Sequence, residues 1–293
     1  MSGPRYPIYI PSKGRVKRPQ TFQMLEREGI EFHAVVEPQD VDRYASWVGE
    51  DRLVVLPDDD AGLPTTRTRI KAHALQEGWE RHWQIDDDIV ELLRHYKGGR
   101  FRCHAGTALS DAEDFTDRYT NIALTGIRAQ NFGRFISSPF QLNNNVYAVN
   151  LIRSDLPYKW RVSGIEDLDF ALQVLSGGWC TVTFNVYQFS TPTTASERGG
   201  LTDLYADGGK ERAALELQRR WPSLVKLQER HGEVRYHMGP RVWRRFDRPL
   251  VLKEGVDLQE LSRRPHTAKL KAIGEVRAPR LRDIASEFQR THE

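Results

Sequence analysis

Trp83-Gln84-Ile85-Asp86-Asp87-Asp88-Ile89 decides how this chain is read. A strand-like apolar run ends in three adjacent carboxylates, where a strand should pass into a loop. Like charges at that spacing repel one another unless a cation lies beside them. A hard divalent ion, Mg²⁺ or Mn²⁺, prefers such oxygen ligands and bridges them to phosphate. Side chains alternate along an extended segment, so Asp86 and Asp88 share one direction and Asp87 takes the other. A solvated acidic turn or a helix N-terminus is the competing reading. Asp58-Asp59-Asp60, between Pro57 and Gly62, is assigned to such a turn. The apolar strand in front sets the first triplet apart.

Upstream, strand and helix alternate. Tyr6 to Ile10 reads as a buried first strand, and Pro11-Ser12-Lys13-Gly14-Arg15 as the turn after it. Arg18 to Gly29 has helical spacing, with Phe22 and Leu25 apolar and Gly29 as the stop. Phe32 to Val36 reads as a second strand, Val41 to Val48 as a short helix, and Leu53 to Leu56 as a third strand. Thr65 or Thr66 is expected to cap a helix running to Gly78. Trp79 to Ile85 is then the fourth strand. This alternation predicts an α/β fold with a parallel sheet covered by helices. In open sheets of this kind ligands gather at the carboxyl ends of strands, where both the Pro11–Arg15 turn and the aspartates fall.

Downstream, Lys97 to Gly106 reads as a basic, glycine-rich flexible loop and Asp111 to Ala129 as a helix. Phe135-Ile136 and Val146 to Val149 read as strands on either side of Asn143-Asn144-Asn145. Glu166 to Leu175 is expected to be helical and to stop at Gly177-Gly178, with a strand over Cys180 to Phe189. Thr191 to Gly209, rich in Thr, Ser and Gly, reads as a mobile loop. Lys210 to Arg220 reads as a charged helix, and the segment after Arg248 as basic and less regular. The division expected is one domain over 1–209, which carries both acidic motifs, and a basic, largely helical extension over 210–293.

Composition agrees with a globular enzyme. Of 293 residues, 39% are hydrophobic and 28% charged, and seven Trp, twelve Phe and ten Tyr suffice for a core. No apolar run approaches the roughly 20 residues of a membrane span, and Met1-Ser2-Gly3-Pro4-Arg5 carries no apolar leader. The chain reads as cytoplasmic, with Cys103 and Cys180 as reduced thiols. Residues 211–293 hold 19 Lys and Arg against 12 Asp and Glu, a net +7, whereas 1–210 is net −4. A basic end suits a polyanion such as nucleic acid, although a solvated, salt-bridged surface has the same composition.

Other residues are candidates for chemistry. In Gly164-Ile165-Glu166-Asp167-Leu168-Asp169, a carboxylate at a helix mouth can act as general base toward a hydroxyl, and Asp167 is the candidate. Glu166 and Asp169 could orient it or bind acceptor, unless these acids only complement the helix dipole. Pro11, Ser12, Lys13, Gly14 and Arg15 offer backbone amides and cations to a base or phosphate. Arg67 and Arg69 could pair with the aspartates or a phosphate, or lie on a helix surface. Asn143, Asn144 and Asn145 offer amides to sugar hydroxyls, or form a polar turn. His33, His73 and His95 read as surface or core residues. His237, in a basic aromatic segment, is the better metal candidate.

These motifs, in this order, resemble a GT-A glycosyltransferase. The aspartate triplet resembles its DxD motif, and Asn143 through Asp169 with Gly177-Gly178-Trp179 resembles the segment that reads the sugar and ends in the ED motif. Ile10-Pro11-Ser12-Lys13-Gly14-Arg15 paired with Gln84-Ile85-Asp86-Asp87-Asp88-Ile89 is similar to the TET/JBP-associated glycosyltransferases of bacteriophages, over Tyr6 to Gly209. The resemblance implies a GT-A (Rossmann-like) mixed, mostly parallel sheet. It implies Asp86 and Asp88 on Mn²⁺ or Mg²⁺, Asp87 beside the nucleotide sugar, and Asp167 as the base of an inverting reaction. Arg67 or Arg69 matches the arginine that precedes DxD in many such enzymes. The family's late metal-binding His has no counterpart in Tyr187-Gln188-Phe189-Ser190-Thr191, which leaves His237 or a smaller ligand set.

The implied activity moves a sugar from a nucleotide-diphosphate sugar, taken as a UDP-sugar, to the hydroxymethyl group of 5-hydroxymethylcytosine in phage DNA. Arg241, Arg244, Arg245, Arg263 and Arg264 would then meet DNA phosphates, with Trp243 or Phe246 stacking on a base. No membrane and no obligate protein partner is expected. The rival readings are a GT-A enzyme for a saccharide or small-molecule acceptor, a nucleotidyltransferase, and a non-catalytic nucleic-acid-binding module.

Overall fold

In the computed structural model the described residues are 3–96, 99–132, 138–192, 208–230 and 232–257. The expected Phe135-Ile136 strand, most of the Thr191–Gly209 segment, and Arg263 and Arg264 lie outside them.

A ten-stranded mixed sheet forms the centre, in the order β3-β2-β1-β4-β9-β7-β10-β5-β6, with β8 also on β10. The strands are β1 Ile8–Pro11, β2 His33–Val36, β3 Leu53–Val55, β4 Arg81–Ile85, β5 Glu91–Tyr96, β6 Gly99–Cys103, β7 Ile122–Ala129, β8 Phe140–Leu142, β9 Val149–Arg153 and β10 Cys180–Ser190. The ladders make β1 to β4, β6, β7 and β10 point one way and β5, β8 and β9 the other. The sheet is therefore mostly parallel, as the α/β reading expected.

Strand alternation explains why both faces are covered. Ile8, Ile10, Ala34 and Val36 pack with Phe22 and Leu25 of α1 (Gln20–Arg27), Tyr44 of α2 (Val41–Val48), and Ala108 and Leu109 of α4 (Ala105–Thr116). Tyr9 and Val35 turn to the other face, against Ile70 and Ala74 of α3 (Leu63–Gln76). On that second face Leu124 and Ile152 meet Phe170 and Val174 of α5 (Glu166–Ser176). Trp83 is fully buried and donates its Nε1–H to Glu113 at 2.8 Å, which fixes β4 just before the acidic triplet.

Several expectations are corrected. The third helix begins at Leu63, not behind a Thr65 or Thr66 cap: Gly62 (φ +78°) turns the chain and Pro64 occupies the first turn, where its missing N–H costs nothing. Thr66 instead donates its hydroxyl back to the Gly62 carbonyl at 3.2 Å. Of the expected Lys97–Gly106 loop, Gly99–Cys103 form strand β6, antiparallel to β5, and Ala105 begins α4. The expected Asp111–Ala129 helix is two elements, α4 and the buried strand β7. The ninth strand starts at Val149, so Val146 to Ala148 form a loop.

Beyond residue 208 come α6 (Gly209–Arg220), the hairpin β11 (Lys226–Arg230) with β12 (Glu233–His237), and a short α7 (Pro240–Trp243). The hairpin is an addition to the expected helical extension. Ala213 and Leu217 of α6 pack with Leu168, Leu172 and Leu175 of α5, and Phe246 is buried in the same cluster, which removes it from any stacking role. Cys103 and Cys180 are both buried and form no disulfide with each other. Among the described residues no helix is long and apolar enough to cross a membrane.

Candidate active site

The end of β4 is held from both sides. The Asp86 N–H donates to the Ala148 carbonyl at 2.8 Å. Thr21 of α1 donates its hydroxyl to the Asp86 carbonyl at 2.5 Å and accepts the Ile89 N–H at 2.8 Å. The chain turns at Asp87 and Asp88 directly after β4 instead of staying extended, and the carboxylates diverge there. Asp87 is buried and accepts from Arg15 Nε at 2.8 Å, Arg15 Nη2 at 2.6 Å and the Ser12 hydroxyl. It ties the first-strand turn to the acidic loop. Asp86 turns the other way, and Asp88 is half-buried.

Arg67 joins this loop to α5. Its side chain is 1% exposed; Nη2 lies 2.6 Å from Asp86 Oδ1 and 3.6 Å from Asp167 Oδ2, and Nε lies 3.5 Å from Glu166 Oε1. Burial opposes the Arg67 charge, but Asp167, Asp86 and Glu166 outweigh it and hold its pKa above the ordinary value. Burial pushes the Asp86 carboxyl up; Arg67 pulls it back, and Asp167 and Asp88 push it further. Burial, with Asp167 close by, likewise raises Glu166. One guanidinium is thus shared among three carboxylates.

A cavity of about 510 Å³ opens beside this cluster. Asp86, Glu166 and Asp167 line it, together with Arg128, Asn144, Asn145, Tyr147 and Tyr236. The Ala148 peptide joins its two acidic sides: the carbonyl accepts from Asp86, and the N–H points to Asp167 Oδ2 at 3.4 Å. Ala148 adopts φ +64°, a left-handed conformation that costs a non-glycine residue roughly 1–2 kcal/mol. Gly126 of β7 lies under this loop, where a Cβ would meet Val146 and come within 2.7 Å of the Val149 carbonyl.

The remaining sequence candidates divide. Arg67 meets the aspartates, whereas Arg69 pairs with Asp58 at 2.5 Å in the neighbouring turn. Lys13 pairs with Glu37 at 2.8 Å, and the Gly14 N–H donates to Asp40 at 2.8 Å. Asn144 and Asn145 line the cavity; Asn143 instead donates to the Arg248 carbonyl at 3.1 Å. Asp169 is fully buried and accepts from Arg161 (2.7 and 2.9 Å), Gln173 (2.9 Å) and Trp221 Nε1 (2.8 Å), so it braces the helix. His237 is exposed on β12 next to the cavity-lining Tyr236, and among the described residues no three His, Cys, Asp or Glu form a ready metal cluster. Arg241, Arg244 and Arg245 are exposed together, while Trp243 is half-buried against the cluster of α5 and α6.

Arg128, Gln141, Thr183 and Tyr236 were not foreseen. Arg128 falls near the carboxyl end of β7, a position that marks it as soon as Ile122–Ala129 is read as a strand. Its Nη1 donates to Gln141 and Asn185, both at 3.0 Å.

No protein of curated function matches the chain. Among solved structures, a candidate nucleotide-diphospho-sugar transferase from Desulfovibrio desulfuricans G20 is similar over 62% of this chain and 80% of its own, at 13% identity and TM-score 0.38. A197 from STIV is similar over 63% of this chain and 84% of its own, at 13% identity and TM-score 0.39. The family model of the TET-associated glycosyltransferases matches residues 6–200, which include β1, the acidic loop, Arg67 and the Glu166-Asp167 pair. The chain belongs to the TET-associated glycosyltransferase family and is a glycosyltransferase.

Proposed function

We propose that this enzyme transfers a sugar, with inversion, from a nucleotide-diphosphate sugar, UDP-linked, to the hydroxymethyl group of 5-hydroxymethylcytosine in phage DNA. The observation that carries the reading is the meeting of Asp86 and the Glu166-Asp167 pair on one cavity around Arg67. In this reading residues 1–209 bind the donor and perform the chemistry, and 210–293 serve the acceptor.

The donor set fits Mn²⁺ or Mg²⁺. It is made of carboxylate oxygens, and the single guanidinium of Arg67 is shared among Asp86, Glu166 and Asp167. Asp86 and Asp88 would hold the ion, with His237 as the third candidate from sequence. When bound, such an ion neutralises the diphosphate as it leaves.

The chain's own groups do the rest. Ser12 to Arg15, fastened by Asp87, would grip the nucleotide. Asn144 and Asn145 would hold sugar hydroxyls; Asn145 Oδ1 is buried with no hydrogen-bond partner. Asp167 would take the proton of the acceptor hydroxyl as its oxygen attacks C1 of the sugar. The C1–O bond to the diphosphate breaks, the nucleoside diphosphate leaves with the electron pair, and the new bond forms on the opposite face. Arg67 would keep Asp167 and Asp86 apart yet in reach of one substrate.

Mass spectrometry of hydroxymethylated duplex DNA, incubated with Mn²⁺ and a panel of nucleotide sugars, tests this. One sugar per modified base with release of nucleoside diphosphate is expected. Release of pyrophosphate, or sugar only on saccharide acceptors, overturns it.

A further inference from the structure

Tyr236 lies outside the family-matched residues, yet it lines the same cavity as Asp86 and Asp167. Its position is fixed relative to the candidate base. β12 packs on α6, and Ala213 and Leu217 of α6 pack on Leu168 and Leu172 of α5. Trp221, just after α6, donates to Asp169 two residues beyond Asp167. The aromatic wall and the acid therefore belong to one packed unit.

The shape of the site restricts how an acceptor reaches it. A hydroxymethyl group on a stacked base projects from the floor of the major groove, and only a protruding element reads it there. Asp167 is the reverse: 15% exposed and on the lining of a cavity of about 510 Å³, a size that takes a small molecule. The same lining offers a flat aromatic ring in Tyr236 and a buried donor atom without a hydrogen-bond partner, Arg128 Nε. A stacking surface and a donor suit the face and the edge of a pyrimidine.

We infer that the cavity is a base pocket, which receives a single modified pyrimidine swung out of the DNA stack, with Tyr236 stacked on the ring. This inference rests on the DNA-directed reading above. The diphosphate then lies on the Asp86 side and the hydroxymethyl group meets Asp167 from the Tyr236 side, as displacement with inversion demands.

The test uses the full chain with Mn²⁺, the donor identified by the panel, and duplexes that differ only opposite the modified base. Extrusion is easiest where pairing is weak. A mismatch or an abasic site opposite the base is expected to raise kcat/KM about ten-fold over the paired duplex. Tyr236→Ala is expected to raise KM for DNA about ten-fold with unchanged donor binding by calorimetry, and Tyr236→Phe to restore it. Equal or better turnover of the paired duplex overturns the inference, and so does a Tyr236→Ala enzyme with wild-type KM. Either result leaves the DNA-directed reading intact. Failure to glycosylate every hydroxymethylated oligonucleotide removes that reading, and this one with it.

Discussion

Arg67 Nη2 lies 2.6 Å from Asp86 Oδ1 and only 1% of the arginine side chain is exposed, so the acidic loop after β4 is anchored to α3 by a buried ion pair. The same guanidinium reaches Glu166 and Asp167 on α5. A single side chain thereby sets the spacing of the two acidic motifs. Truncating it would leave several carboxylates facing one another in a partly dry site. Removing one partner of such a pair costs about 3–5 kcal/mol. Arg67→Met is expected to lose stability of that order in urea unfolding. Arg67→Lys, which keeps the charge but not the fork, is expected to fold and to lose about ten-fold or more in kcat. An Arg67→Met enzyme as stable and active as the parent would contradict this account.

Asp86 and Asp167 differ in their proposed jobs, so their variants should differ in kind. Asp167→Asn is expected to retain donor binding and to lose roughly 10²–10⁴-fold in turnover, the range for a missing general base. Asp86→Ala is expected to abolish the calorimetric signal of donor with Mn²⁺ as well as turnover. Loss of donor binding in Asp167→Asn would show that the two acids form one binding unit.

Gly126 offers a test of the backbone platform. A methyl group there collides with Val146 and the Val149 carbonyl, on either side of the Ala148 peptide that contacts both acids. Gly126→Ala is expected to cost about 1–3 kcal/mol through overpacking. It should also lower kcat more than it raises KM for the donor, because it displaces Asp86 relative to Asp167. Thermal melts and steady-state kinetics on one preparation measure both effects, and a kcat equal to the parent's would refute the second.

Acid sensitivity should come in part from His82, buried on β4. Gln84 donates one amide hydrogen to the Arg67 carbonyl (3.0 Å) and faces His82 Nε2 at 3.1 Å with the other. That network assigns the Nδ1–H tautomer, which donates to Ser154 Oγ at 2.9 Å. Burial, with Lys71 nearby, holds the imidazole pKa down to about 3. Below the ordinary histidine value of about 6.5 the unfolded chain takes up a proton that the folded chain refuses. Stability contributed by His82 is thus complete above that value and falls as pH drops toward 3, by up to about 1.4 kcal/mol per pH unit. His82→Gln is expected to flatten the decline in urea midpoint between pH 7 and 5. Parallel profiles for the two proteins would exclude His82 as its source.

The first half of the fold was legible because its signals are local. Ile8 to Ile10, Ala34 to Val36 and Trp83 to Ile85 are apolar runs closed by Pro, Gly or acidic turns. The hairpin β5–β6 was missed because it lies at the sheet edge, where Arg94, Arg100 and Arg102 are tolerated and even useful against further pairing. The boundary between α4 and β7 was missed because Asp117 to Asn121 contains neither Gly nor Pro. In the site, Asp86, Asp87 and Asp167 stood out through charge density and spacing. Arg128, Gln141, Thr183 and Tyr236 come from four separate strands, and only tertiary structure brings them to one cavity. Asp169 shows the converse: its sequence neighbourhood suggests chemistry, yet four donated hydrogen bonds make it a brace.

The Trp221–Asp169 hydrogen bond and the apolar seam between α5 and α6 have a bearing on engineering. The family match ends at residue 200, yet α6, from Gly209 onward, packs on α5 inside the matched part. Grafting a different tail onto this catalytic half, in the hope of redirecting it, would strip the inner face of α5 and leave Leu172 and Leu175 bare. Chimeras that carry α5 and α6 together as one cassette are the ones that should survive.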